Sequence, residues 1–418
     1  MKKKISVLAL ACIFTAGSAM ASGWRIPEQS VDSTAKAGAN IASSKRADTA
    51  YYNPANMAWM EDTWHLEADA TYIYLSEIDY DDARSSTLSG SSEEEHFFVP
   101  TAFVVSPSYA GARFGLAVVA PYGLSKRWQD PYPKTFAEEF SLAVIEVNPT
   151  ISYSIGDMVS IAAGPRMLYA DATVKSNGII EFPPGSTLLG PAAREMEGDT
   201  IEWGWNVALS IKPNEKLNIS TTYRSHIDLD FDDDATLTLP AIPGMLPVRT
   251  ATFDADVSVP APAVLALSVA YDVLDNLNVE LTWDRTFWSE YETLDFNFSP
   301  TDPGNIFDIP QTRNWDDTNA FRIGLTYALN DTLTLMGGFG YDENPAPTEH
   351  IGFELPDSDA FLYSLGAQYK VNENMEIGIA ALYDYKESRT VQSADGRVNG
   401  EFTNASAILV TAGLSYTF

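Results

Sequence analysis

The sequence predicts an all-β protein, a fourteen-stranded antiparallel transmembrane β-barrel with an N-terminal hatch segment in its lumen. Apolar and polar residues alternate in fourteen long segments, as in strands with two different faces. Short turns and long loops alternate between these segments. After residue 21, no apolar run approaches the roughly 20 residues that a membrane-spanning helix needs.

The composition excludes an intrinsically disordered protein and argues against a nucleic-acid-binding one. The chain has 418 residues, of which 45% are hydrophobic, so an intrinsically disordered protein is excluded. Its 57 acidic and 26 basic residues give a formal net charge of −31. Binding of nucleic acid needs clustered lysine and arginine, so no nucleic-acid partner is expected.

The first 21 residues have the pattern of a secretory signal peptide. Lys2–Lys4 supply the positive charges, Ile5–Ala16 the apolar stretch and Ala19–Ala21 a small-x-small cleavage site. The single cysteine, Cys12, lies in this segment, so the mature chain is expected to hold neither disulfides nor cysteine-based zinc sites. Lipid attachment at Cys12 is the alternative, which the preceding Ala9–Ala11 fits poorly.

The fourteen strand segments are longer than most globular strands and suffice to cross a bilayer at a tilt, which takes roughly 9–11 residues. In the last one, apolar residues occupy the even positions from Ile408 to Phe418. The predicted strands are 62–76, 95–107, 111–122, 141–156, 158–175, 198–213, 215–231, 262–275, 277–298, 313–330, 332–342, 359–371, 374–389 and 402–418.

The connections favour a barrel in the bacterial outer membrane over its alternative, a large secreted β-sandwich. Six are tight turns, which would lie on the periplasmic side, and seven are long outer loops. The long loops are predicted at 77–94, 123–140, 176–197, 232–261, 299–312, 343–358 and 386–401. The barrel is assigned to residues 62–418.

Residues 22–61 lack the alternation and are too short to form a good core alone. Small and polar residues dominate, with six large apolar ones: Trp24, Ile26, Tyr51, Tyr52, Met57 and Trp59. A barrel of this size would otherwise enclose a wide channel, so the segment is predicted to fill the lumen as a hatch. A periplasmic tail is the alternative.

The predicted hatch ends in a motif that resembles a known family. Asn53-Pro54-Ala55 is similar to the NPA end of the hatch in FadL-type long-chain fatty-acid transporters. Further short matches follow in family order, among them Ala120–Gly123, Val147–Thr150, Gly340–Pro345 and Leu355–Asp359. The resemblance implies uptake of long-chain fatty acids or other hydrophobic molecules, and some family members import aromatic hydrocarbons.

The same resemblance implies a sideways exit. In the family, an inward kink of the third strand opens the barrel wall, and the ligand leaves into the membrane. Gly111, Gly115 and Pro121 are the candidates for such a kink because glycine and proline interrupt strand pairing, although they also mark strand ends. At the C-terminus, Leu414, Tyr416 and Phe418 resemble the signal that barrel-assembly machinery recognises.

The alternation of residues along each predicted strand indicates which basic side chains face the lumen. An amphiphile with a carboxylate needs one well-placed cation and an apolar slot for its chain. Arg166, Arg224 and Arg322 are the candidates. Pairing of each arginine with a lumenal acid is the alternative.

Loops 176–197 and 232–261 contain many apolar residues, and exposed apolar loops often form binding surfaces. They are interpreted as a capture site for a hydrophobic ligand, with packing of loop on loop as the alternative. The candidate capture residues are Ile179, Ile180, Phe182, Leu188, Leu189, Leu237, Leu239, Ile242, Met245 and Leu246.

No catalytic constellation is evident, so neither an enzyme, a metal site nor a cofactor is predicted. The four histidines are widely spaced, and the nearby pair His226 and Asp228 is attributed to chance. The hypothesis is passive uptake of fatty acids, with hydrocarbon uptake or a gated channel for polar solutes as alternatives. The expected partners are hydrophobic small molecules, outer-membrane lipid, lipopolysaccharide and the barrel-assembly machinery, for a monomeric protein.

Overall fold

The structure is a computed structural model that describes residues 23–181, 189–242, 244–302 and 304–418. The predicted signal peptide lies outside the described residues, as do Phe182 and Leu188 of the predicted capture site.

Fourteen antiparallel strands form a closed barrel, which confirms the predicted fold class. The strands are β1 (His65–Leu75), β2 (Glu95–Val105), β3 (Ala112–Arg127), β4 (Glu139–Ile155), β5 (Val159–Glu181), β6 (Leu189–Asn214), β7 (Leu217–Arg224 and Ile227–Leu239), β8 (Arg249–Ala261 and Ala263–Leu274), β9 (Leu277–Phe287), β10 (Thr318–Ala328), β11 (Leu333–Asp342), β12 (Ala360–Lys370), β13 (Met375–Lys386) and β14 (Ser406–Thr417). Each strand pairs with the next, and β1 pairs with β14 from His65–Thr417 to Leu75–Ala407. The sheet therefore closes on itself.

The alternation of residues places an apolar surface outside and a polar one inside. On β6, Trp203 and Trp205 are exposed on the outer face, while Asn206 and Ser210 are buried on the inner face. Lipid would remove this outer apolar surface from water. Among the described residues, no helix is long and apolar enough to cross a membrane.

Large parts of two predicted loops are strands, and the prediction was wrong in those parts. Within 176–197, β5 and β6 continue their pairing to Glu181 and Leu189, so Ile179, Ile180 and Leu189 belong to strands. Within 232–261, β7 and β8 pair from Ile227–Ala261 to Leu239–Arg249. The period-two pattern continues through these parts of both segments, and backbone pairing continues with it.

The remaining connections contain short helices and strands. The helices, including those of the hatch, are α1 (Val31–Ala35), α2 (Thr49–Tyr52) and α3 (Pro131–Ala137), with 3₁₀ turns at Pro54–Trp59, Ser86–Leu88, Trp288–Glu290 and Thr348–His350. The short strands are Asp79–Asp82, Gly90–Ser91, Thr293–Leu294, Phe296–Ser299, Gln311–Thr312, Arg389–Gln392 and Asn399–Thr403.

The hatch segment packs against inward-facing side chains of the strands. The α1 helix begins after Ser30, whose hydroxyl accepts a hydrogen bond from the Ser33 amide, and it contacts β11 to β14. Asn53 donates from its side chain to the hydroxyls of Ser210 (2.8 Å) and Ser220 (3.0 Å) on the opposite wall. Contacts on both sides hold the segment across the lumen.

The hatch motif has a structural role at this point. Pro54 starts the 3₁₀ turn, a position that needs no backbone donor. Ala55 is fully buried against Ala162 and Ala208 of the wall. A larger side chain at position 55 would push the hatch away from β5 and β6.

Candidate functional site: an apolar cavity and an interrupted strand ladder

A largely apolar cavity lies between the hatch and the outer connections. It leaves about 730 Å³ free of protein atoms, including the space at its open end. Its lining is mostly aromatic and aliphatic: Trp24, Leu124, Phe140, Ser141, Leu142, Ala172, Val174, Phe231, Val257, Val259, Tyr291, Leu294, Phe296, Arg313, Trp315, Ala346, His350, Ile351, Gly352, Glu354 and Leu355. Such a lining suits an apolar ligand.

One wall of the cavity is an aromatic cluster around a hatch residue. The ring of Trp24 lies 4.6 Å from Trp288, 4.9 Å from Trp315 and 5.2 Å from Tyr291, centroid to centroid. These contacts bury Trp24 to 3% exposure. Part of the cavity wall therefore belongs to the hatch, so movement of the hatch would change the cavity.

Charged groups are few around the cavity. Arg313 lines it and forms an ion pair with Glu354, which also lines it. Arg194 of β6 lies against two lining rings, with its guanidinium carbon 4.4 Å from the centroid of Phe296 and 5.7 Å from that of Phe140. A mostly apolar chamber thus has cations at its edge.

The ladder between β2 and β3 is interrupted near the cavity. The two strands pair only from Val105–Gly115 to Ala102–Val118. Beyond Val118, β3 stays paired with β4, but its register shifts between Val119 and Tyr122 by one extra residue on β3. Such a bulge bends a strand, and here both faces of β3 become buried beyond it.

The hatch replaces β2 along this interruption. The Ile26 amide donates to the Pro121 carbonyl at 2.8 Å, and the Gly123 amide donates to the Trp24 carbonyl at 2.9 Å. Further along β3, beyond the part that the hatch covers, the Glu93 amide donates to the Arg127 carbonyl at 2.9 Å. The interruption is therefore bounded at one end by the β2–β3 pairing and at the other by a contact of Glu93, two residues before β2, and it is covered by the hatch.

The kink candidates occupy different positions. Pro121 lies in the bulge. Gly111, with φ of +84°, forms the tight turn before β3 together with Ala110, at φ of +54°. Gly115 lies in the paired part of β3, where a Cβ atom would come 2.6 Å from the Met57 sulfur. Only Pro121 of the three therefore lies at the bulge.

Comparison with known proteins identifies the family. The model of the family described as outer membrane protein transport protein (OMPP1/FadL/TodX) matches residues 12–418. The chain belongs to this FadL/TodX family. It is 25% identical to outer membrane protein P1 of Haemophilus influenzae, over 99% of both chains. It is 24% identical to the long-chain fatty acid transport protein of Escherichia coli K12, over 99% of this chain and 98% of that one.

Solved structures show the same fold. A FadL homologue from Pseudomonas aeruginosa matches with a TM-score of 0.82 at 19% identity, over 95% of this chain and all of that one. The toluene transporter TodX of Pseudomonas putida matches with a TM-score of 0.72 at 18% identity, over 93% and 98%. Family and fold together place this FadL/TodX protein in the outer membrane.

The three arginines predicted to bind a carboxylate are paired with acids in this FadL/TodX barrel. Arg166 and Arg224 both bind Glu146, which is fully buried between them. Arg322 donates to Asp284 at 2.7 Å and to Asp342 at 3.0 Å. All three arginines therefore pair with lumenal acids, which was the alternative interpretation.

The predicted capture residues divide into two groups. Ile179 and Met245 are 67% and 74% exposed near the tips of their hairpins, and Ile180, Ile242 and Leu246 are half-buried. Leu237 and Leu239 are fully buried in the apolar core below, so their prediction as exposed loop residues was wrong. They face the lumen because their strand continues.

The C-terminal residues Leu414, Tyr416 and Phe418 are all exposed on the outer face of the barrel. Arg194 was missed because its segment was predicted as a loop. The alternation continues through Ala192, Arg194 and Met196, which are all buried, and it places Arg194 on the inner face.

Proposed function

We propose that this protein carries long-chain fatty acids across the outer membrane by passive diffusion, with release sideways into the membrane. The observation that carries the proposal is the apolar cavity beside the interrupted β2–β3 ladder. Leu124 lines the cavity, and Ala120, four residues earlier on the same strand, lies at the interruption. A ligand leaving the cavity along β3 would therefore reach the barrel wall where its hydrogen bonding is weakest.

The lumen on the other side of the interruption is also apolar. Ile73 of β1, Phe97 of β2 and Leu409 of β14 are buried in one cluster with Ile26 of the hatch and Ala120 of β3. An alkyl chain can pass such a surface without losing hydrogen bonds to water, because it makes none. The route requires movement of Ile26, whose amide is bonded to Pro121.

We assign capture of the ligand outside the membrane to the exposed apolar residues at the hairpin tips, chiefly Ile179 and Met245. The relatives whose names specify fatty-acid transport support a fatty-acid ligand. The hatch, bonded to opposite walls, supports a plugged transporter rather than an open channel for polar solutes. We further propose a monomer without catalytic activity, surrounded by outer-membrane lipid and lipopolysaccharide.

Uptake of aromatic hydrocarbons is the second candidate function. The aromatic cluster around Trp24 favours it, because aromatic rings pack well against one another. The structural neighbours include proteins named toluene transporters.

Deletion of Pro121 tests the sideways release. Removing one residue from the bulge restores equal residue counts on β3 and β4 between Val119–Glu146 and Tyr122–Val144. We expect uptake of radiolabelled oleate by cells lacking other such transporters to fall to background, while the purified variant still binds oleate. Uptake at the wild-type rate would overturn the exit route, and absence of binding by the wild-type protein would overturn the function.

A further inference from the structure

A groove crosses the outer face of the barrel on β4 to β7, away from the lumenal cavity. It leaves about 930 Å³ free of protein atoms, including the space at its open side. Ile151 and Tyr153 of β4 line one side, and Tyr223 of β7 lines the other. Between them, the short side chain of Ala163 on β5 leaves the wall thin. The surface of the groove is almost entirely apolar, like the outer face around it.

A paired wall separates the groove from the lumen. At the level of the groove, Ala162 of β5 pairs with Ser152 of β4 and with Ala208 of β6. Ala208 pairs in turn with Thr222 of β7. On the inner face of this wall, Ala55 of the hatch packs against Ala162 and Ala208. A molecule in the groove is therefore in contact with the membrane and not with the lumen, and only one layer of backbone lies between it and the hatch.

The β4–β5 ladder is interrupted directly beside the groove. The two strands pair up to Val147–Met167 and again from Ile151–Ala163, in an unchanged register. Between these pairs, Pro149 lies opposite Pro165, and proline has no N–H to donate. The wall thereby loses the two hydrogen bonds that an ordinary pair exchanges at such a position. Both prolines are exposed on the outer face, so the apolar molecules that cover this weak point come from the membrane.

The groove lies in the periplasmic half of the barrel. Tyr153 is two residues before the end of β4, and Ile161 is two residues after the start of β5. Short turns of outer-membrane barrels, such as the one between these strands, lie on the periplasmic side. At about 3.3 Å per residue, both residues are within about 7 Å of the turn along the strand. The periplasmic leaflet consists of phospholipids, so their acyl chains are the apolar groups available at this depth.

We propose that the groove is a phospholipid site, in which one acyl chain of the periplasmic leaflet stays bound when the barrel is extracted. The chain covers the Pro149–Pro165 interruption and excludes water from it. It also packs on the back of the wall against which Ala55 is seated, so it supports the hatch from outside the barrel. The site is distinct from that of any transported molecule, because the paired wall and the hatch lie between the two.

Mass spectrometry of the intact protein tests the site, after extraction from the outer membrane in a mild detergent. The wild-type protein should retain a phospholipid. Ala163→Phe places a ring in the groove, because Ala163 is exposed between its cross-strand neighbours Ile151 and Val207. The fraction of protein that carries a phospholipid should fall several-fold in this variant. Ala68→Phe is the matched control, since Ala68 is an exposed alanine three residues from the start of β1.

Hydrogen exchange tests the support of the hatch. Peptides covering residues 53–59 should exchange several-fold faster in delipidated wild-type protein than in protein with phospholipid bound. In Ala163→Phe the ring replaces the acyl chain, so exchange of these peptides should no longer depend on lipid. Ala68→Phe should depend on lipid as the wild-type protein does. Heat-modifiable migration in electrophoresis verifies that each barrel is folded.

Each outcome decides one part of the proposal. Absence of a retained phospholipid from the folded wild-type protein overturns the site, and so does equal retention by Ala163→Phe. Retention of a free fatty acid that Ala163→Phe loses overturns the phospholipid as the occupant. Exchange of residues 53–59 that is independent of lipid in the wild-type protein overturns the support of the hatch.

Discussion

The side chain of Gln29 completes the hydrogen bonding of Ala120 where β3 loses its neighbour. The Ala120 amide donates to the Gln29 side-chain carbonyl at 2.8 Å, and the Gln29 side-chain amide donates to the Ala120 carbonyl at 2.9 Å. The Gln29 backbone carbonyl accepts from the Thr101 hydroxyl of β2 at 2.7 Å. One hatch residue therefore bridges the two strands across the interruption.

Substituting Gln29 by alanine should loosen this bridge. Two buried backbone groups of Ala120 would lose their partners, at roughly 1–3 kcal/mol each. We expect faster hydrogen exchange in peptides covering β3 beyond Val118, and faster oleate uptake if release at this point limits the rate. Gln129→Ala is the matched control, because Gln129 is exposed. Unchanged exchange in β3 would show that Gln29 does not hold the interruption closed.

Phe418 should matter more for assembly than for the stability of the finished barrel. Its backbone exchanges hydrogen bonds with Trp64 at 3.0 and 3.1 Å, which close the seam between the first and last strands. Phe418→Ala keeps these bonds and removes only an exposed ring. We expect several-fold less folded protein in the outer membrane, with the thermal midpoint of the purified barrel within a few degrees of wild type. Leu335→Ala, an exposed residue of β11, is the control.

The strands could be predicted from the sequence because the polar inner face and the apolar outer face of the barrel impose a local period-two pattern on the chain. That pattern placed Ile408 to Phe418 on one strand, and Leu414, Tyr416 and Phe418 are indeed exposed on one face. Leu237 and Leu239 were predicted to lie in a loop because their segment is rich in acidic and apolar residues, but the alternation continues there and both residues belong to a strand.

The partners of charged side chains could not be predicted. Arg166 meets Glu146 only because β4 and β5 are adjacent in a particular register, which no single segment encodes. The alternation along a strand therefore shows which arginines face inward, but not which of them are paired with acids.

Glu280 of β9 should be essential for seating the hatch. Its carboxylate accepts backbone hydrogen bonds from Ile41 (2.7 Å), Ala42 (2.8 Å) and Ser43 (3.0 Å). Hydrogen bonds to a charged group contribute roughly 1.5–3 kcal/mol each. Glu280→Ala should release this loop and admit large antibiotics such as vancomycin to cells.

The control for that substitution is Glu290→Ala, since Glu290 is exposed outside the strand. Antibiotic sensitivity should rise at least several-fold only for the variant at position 280. Equal sensitivity of the two variants would mean that the other hatch contacts, such as those of Asn53, suffice.

The packing of the hatch should weaken as the pH rises through neutrality, because of Glu28. Burial raises the pKa of its carboxyl group to about 7, against an opposing effect of Arg322. One carboxylate oxygen, Oε1, has no hydrogen-bond partner among the described residues. A carboxyl group with a raised pKa favours the protonated, docked state. Its stabilising contribution is complete below the ordinary pKa of 4.5 and is lost as the pH rises through about 7.

Hydrogen exchange of hatch peptides, corrected for the intrinsic dependence of exchange on pH, measures this effect. Protection of residues 23–36 should be greater at pH 5 than at pH 8 in the wild-type protein. Glu28→Gln mimics the neutral carboxyl group, so its protection should stay high at both values. Glu77→Gln, at an exposed position, should behave as wild type. Equal protection of the wild-type hatch at both pH values would show that Glu28 does not become protonated in this range, and that Arg322 and Arg25 outweigh burial and Asp342.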